Sequence, residues 1–109
     1  MDQKAKIIAL NDQLRTTFKS GRVQMTPSVY GLDDRLRGRA LSVLAQYDSF
    51  DADSEHDSGV FILAGFAFEW RIEYRGMDGT GRSPDPADPD KTQRVLTLYA
   101  IDDVLAHTS

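Results

Sequence analysis

The stretch Phe66-Ala67-Phe68-Glu69-Trp70-Arg71-Ile72-Glu73-Tyr74-Arg75 decides the fold. Phe66, Phe68, Trp70, Ile72 and Tyr74 share one parity, while Ala67, Glu69, Arg71, Glu73 and Arg75 share the other, which is the period of a half-buried antiparallel strand. Fully burying one large apolar side chain is worth roughly 1.5–3 kcal/mol. A small domain has a margin of only about 5–15 kcal/mol, so the aromatic parity is read as core and not as a platform for stacking bases.

Working outward, Val60–Leu63 and Phe66–Arg75 read as a hairpin with Ala64-Gly65 as its tight turn. Pairing Leu63 with Phe66 sets Phe61 opposite Phe68, Val60 opposite Glu69 and Ile62 opposite Ala67. A last strand is expected over about Gln93 to Ile101, completing an antiparallel sheet.

Upstream, Ile7, Leu10, Leu14 and Phe18 recur at spacings of three and four, with Lys4, Lys6, Asn11, Gln13 and Arg15 on other faces. This predicts an amphipathic helix ending near Ser20-Gly21. Arg22 to Thr26 reads as a short strand stopped by Pro27, with a turn through Ser28 to Gly31. A second helix carries Leu36, Ala40, Val43, Leu44 and Tyr47, with Asp33 and Asp34 at its positive end. The predicted class is α+β: about four antiparallel strands with two amphipathic helices packed on one face, in the order α-β-α-β-β-β, as a single domain over residues 1–109.

Composition excludes several function classes. The chain has no cysteine, which removes disulfide scaffolds, thiolate zinc sites, iron–sulfur clusters and cysteine nucleophiles. A net charge of −4 argues against a nonspecific nucleic-acid coat, so direct nucleic-acid binding is not expected. The longest apolar stretch, Val60 to Phe68, is too short to span a bilayer. No apolar leader follows Met1, and the expectation is a cytoplasmic protein without a membrane partner.

Four segments in this order carry a resemblance: Ile8 to Thr17; Glu55-His56-Asp57-Ser58-Gly59-Val60-Phe61; Ser83-Pro84-Asp85-Pro86-Ala87-Asp88-Pro89; and Arg94-Val95-Leu96-Thr97. Together they are similar to a family of short bacterial proteins known as domain of unknown function 3768. The proline–aspartate run is the most specific piece. Ser58 stands where the family pattern has an aromatic residue, and Ala64 where it has an acidic one. The resemblance implies a bacterial cytoplasmic accessory protein, of a kind borne on mobile elements, and it brings no catalytic residues with it.

The beginning of the first hairpin strand lies beside the end of the second, so the loops at 48–58 and 76–91 are expected to emerge together. The first carries Asp48, Asp51, Asp53, Glu55 and Asp57, and the second carries Asp78, Asp85, Asp88 and Asp90. Only Arg82 and Lys91 oppose these nine acids, giving −7 at this end and leaving +3 for the rest of the chain. Such an end suits a cation or a basic surface. The 16 residues from Gly76 to Lys91 also exceed the usual connection.

Candidate binding residues are Asp51, Asp53, Glu55, His56, Asp57, Asp85, Asp88 and Asp90. The leading expectation is a nonenzymatic adaptor or inhibitor that engages a basic protein partner without a cofactor, an anti-defence role being one concrete version. The alternative is a metal-assisted hydrolase or small-ligand enzyme centred on His56, Asp57 and Asp85. A calcium loop beginning at Asp51-x-Asp53-x-Glu55 fails, because His56 stands at its sixth position and Ile62 at its twelfth. His56 reads as a general base, a metal ligand or an anchor for the strand that follows, and His107 falls in the terminal tail. Arg35 and Arg39, one turn apart, read as a solvated face.

Overall fold

The computed structural model describes residues 2–101, in the order α1 (Gln3–Thr17), β1 (Arg22–Met25), α2 (Pro27–Tyr30), α3 (Asp34–Ala45), β2 (Ser58–Leu63), β3 (Phe66–Arg75) and β4 (Gln93–Ala100). His107 lies outside the described residues. No helix among them is long and apolar enough to cross a membrane.

The β2–β3 hairpin has the register expected from its parity: Leu63 faces Phe66, Phe61 faces Phe68, Ile62 faces Ala67 and Val60 faces Glu69. Its two-residue turn needs positive φ at both positions, and Ala64, though not glycine, adopts it at φ 53°, beside Gly65 at 82°.

 The outer strand passes directly over the Trp70 indole: a Cβ built on Gly59 would stand 2.5 Å from Tyr47 Cζ and 2.6 Å from Trp70 Nε1, so only glycine fits there.

Two expectations are corrected. The sheet is mixed, in the order β1-β4-β3-β2, because β1 runs parallel to β4 from Arg22↔Val95 to Met25↔Leu98. Two helices and the hairpin separate β1 from β4 in the chain, so no tight turn forces them antiparallel. The segment read as a turn at Ser28–Gly31 belongs to a third, one-turn helix, giving the order α-β-α-α-β-β-β. Pro27 opens this helix, where its missing N–H costs nothing, and Gly31 N donates to Pro27 O at 2.9 Å.

The core joins Leu14 of α1, Val29 of α2, and Ala40 and Leu44 of α3 to Phe68, Trp70, Ile72, Leu96 and Leu98 of the sheet. Phe68 and Trp70 are fully buried, while Phe66, at the turn end of the same parity, stays 36% exposed. Asn11 and Arg15, expected on other faces of α1, are buried. Asp33 caps α3 by accepting from Leu36 N at 2.9 Å.

Candidate functional site

β2 begins, β3 ends and β4 begins at one end of the sheet, so the segments 46–57 and 76–92 both leave from that end. Between them sits a polar network built on Asn11. Asn11 Nδ2 donates to Glu55 O (3.0 Å) and Tyr74 Oη (2.8 Å), and Tyr74 Oη donates to Glu55 Oε1 (3.1 Å). Arg94 Nε donates to Asn11 Oδ1 (2.9 Å), and its Nη2 donates to Pro86 O. One helix residue and two strand residues thereby tie both acidic segments to the same spot.

Burial sets the chemistry of this network. It lowers the Arg94 pKa from its ordinary value, against the opposing pull of Tyr74 and Glu55. It raises the Tyr74 phenol well above its ordinary range; donation from Asn11 opposes that shift, and the charges of Glu55 and Asp57 add to it. Tyr74 is therefore held as a neutral donor, which is the form its bond to Glu55 requires.

His56 is anchored on the other side of the same segment. Its Nδ1 donates to Asp12 Oδ1 at 2.9 Å, its ring stacks on Phe50 with centroids 3.8 Å apart, and its backbone adopts φ 58°. Asp12 also accepts from Arg15 Nη2 at 3.0 Å, and Arg15 reaches Ala45 O at 3.0 Å from the end of α3. The carboxylate beside His56 thus comes from α1, and not from Asp57 or Asp85. Among the described residues no group of three or more His, Cys, Asp or Glu side chains is placed to hold a metal ion.

The remaining acids divide by what their side chains do. Asp85 Oδ1 accepts from Ala87 N (3.2 Å), and Asp88 Oδ1 accepts from Asp90 N (2.9 Å), so both shape their own loop. Ser83 Oγ meets Thr92 Oγ1 at 2.7 Å and Lys91 O at 3.1 Å, while Thr92 Oγ1 donates to Asp85 O at 2.8 Å. Asp78 is held below its ordinary pKa by the Thr80 N–H and hydroxyl. Asp57 lines an open groove of about 580 Å³ together with Arg75 and Arg82, a mixed-charge surface and not a purely acidic one. Asp51, Asp53 and Asp90 are exposed.

Sequence reasoning missed Asn11, Asp12, Tyr74 and Arg94 as members of this site. The signal for Asn11 was its spacing: four residues after Ile7 and three before Leu14, it lies on the buried stripe, where a polar residue needs partners.

Comparison with known proteins adds a family. No curated protein and no solved structure matches the chain. The model of a family described as Protein of unknown function (DUF3768) matches residues 25–103. That range begins at Met25, the last residue of β1, and contains α2, α3, β2 through β4, Glu55–Phe61 and the proline–aspartate run; α1 lies before it. Because the match spans well over half of the sequence, the chain belongs to the DUF3768 family, whose function is unknown.

Proposed function

We propose that this protein is a small acidic accessory protein of the bacterial cytoplasm that binds a basic protein partner, as an adaptor or inhibitor, through the loops at 48–58 and 76–91. The observation that carries this reading is the shared tether: Glu55 of one loop and Pro86 of the other are both bonded into the Asn11–Tyr74–Arg94 network. A surface held in place before its partner arrives loses less entropy on docking. Charge steers the approach, and the exposed carboxylates of Asp51, Asp53 and Asp90 make the first contacts. Glu55, Asp85 and Asp88 act chiefly by holding the loops in shape, and His56 by anchoring the start of β2. An anti-defence role against a nucleic-acid-bound host complex is one version of this reading.

Affinity capture from the native host tests it, with the wild-type chain and with Asp53→Lys/Asp90→Lys as baits. A basic polypeptide retained by the first bait, lost with the second and released by salt supports the proposal. Capture indifferent to both the charge reversal and salt contradicts it.

A further inference from the structure

β2 is the outer strand of the sheet, last in the order β1-β4-β3-β2. Ile72 N donates to Asp57 O at 2.7 Å, and backbone groups alternate sides along a strand. Asp57, Gly59, Phe61 and Leu63 therefore turn their backbone groups toward β3. Those of Ser58, Val60 and Ile62 point away from the sheet, and no strand pairs with them among the described residues. Natural edges are usually blunted by charge, proline or a bulge. Ser58-Gly59-Val60-Phe61-Ile62-Leu63 has neither charge nor proline, and Val60 and Ile62 are 53% and 76% exposed.

The two ends of this edge differ in charge. Beside Ser58, Gly59 and Val60 runs a groove also lined by Asp51 and Asp57. At Ala64, just past the end of the strand, a second groove is lined by Arg35 and Arg39 together with Asp33, whose carboxylate caps α3 at Leu36 N, so its balance is positive by one charge. Neither arginine forms an ion pair among the described residues, whereas Arg37 between them is bonded to Asp34. An edge with a negative start and a positive finish complements a second copy of itself running antiparallel.

We propose that two copies of this chain pair through β2 in an antiparallel, two-fold dimer, joining two four-stranded sheets into one. In the register centred on Phe61, Val60 of one copy faces Ile62 of the other and Ser58 faces Ala64. The outward backbone groups then satisfy one another, and the exposed Val60 and Ile62 side chains form a single apolar patch. The same register carries Asp51 and Asp57 alongside Arg35 and Arg39 of the second copy. This goes beyond partner binding, since the occupant is a second copy of the chain: the pairing draws on Asp51 and Asp57 of the 48–58 loop, while the 76–92 connection, which joins β3 to β4, takes no part in it.

Sedimentation equilibrium of the full chain over a wide concentration range tests the proposal. A monomer–dimer equilibrium is expected, which Ile62→Lys weakens about tenfold, since two copies of the substitution enter every dimer. Asp51→Arg and Arg39→Asp each weaken it, and combining them in one chain restores association. Because the chain lacks cysteine, Phe61→Cys places one thiol from each copy across the two-fold axis and oxidises to a linked dimer faster than Val60→Cys. A monomer at every concentration, or a dimer indifferent to Ile62→Lys, overturns the proposal; faster linkage through Val60→Cys overturns the register. Dimerisation is read without any partner present, so its failure and a failure of partner capture are distinct results.

Discussion

The two acidic connections look alike in composition and are held in different ways. The segment 46–57 is fastened by other elements: Asn11 and Asp12 of α1 and Tyr74 of β3 hold Glu55 and His56. The segment 76–92 is fastened mainly by itself, through Asp78–Thr80, Asp85–Ala87, Asp88–Asp90 and the Ser83–Thr92 pair, with Arg94 as its tie to the network. A carboxylate in the first segment depends on distant helix and strand residues. In the second, a carboxylate mostly depends on an amide two residues away, which is why proline and aspartate dominate there.

The sharpest way to break this contrast is at the residue that joins the two segments. Arg94 is 3% exposed, and Arg94→Met strands Asn11 Oδ1 and Pro86 O, so urea denaturation is expected to register a loss of about 2–4 kcal/mol. Arg94→Lys recovers only part of it, because an ammonium cannot span both acceptors as the planar guanidinium does. Gly59→Ala is expected to cost about 1–3 kcal/mol, since the added methyl collides with Tyr47 and Trp70.

Tyr74→Phe separates the segments. It removes the bonds from Asn11 and to Glu55 and is expected to cost about 1 kcal/mol, with amide exchange rising in 46–57 ahead of 76–92. Its pH signature follows from the raised pKa. The folded state holds the phenol's proton more tightly than the unfolded chain, whose ordinary value is 10.0, so this contribution is complete below that value and declines as pH rises above it. Denaturation of the wild type at rising alkaline pH is expected to show that decline, and Tyr74→Phe to lack it. Ser83→Ala is the counterpart in the other segment, expected to loosen 76–92 alone for about 1 kcal/mol. Asp53→Lys and Asp90→Lys bear on binding and are expected to leave stability within about 0.5 kcal/mol.

The hairpin was legible because alternation over Phe66–Arg75 fixes a face, and a two-residue turn then fixes the register down to Phe61↔Phe68. The direction of β1 was not legible. Four residues with an exposed–intermediate alternation carry no mark of whether the distant partner runs parallel, and Pro27 signals a strand end and a helix start equally well. At the site, the acids were legible as a charged end, but their division into anchors, turn makers and exposed charges was not. That division depends on Asn11, Tyr74 and Arg94, which are far apart in the chain and meet only when α1 lies against the end of the sheet.

Native-state amide exchange in Asn11→Ala tests most directly whether the two acidic segments are held as one surface. Asn11 contacts one segment at Glu55 O and reaches the other through Arg94, so exchange is predicted to quicken at Ser54 and His56 and also at Ala87 and Asp88, more than at the core amides of β4. Acceleration confined to one segment, with the other unchanged, contradicts the account.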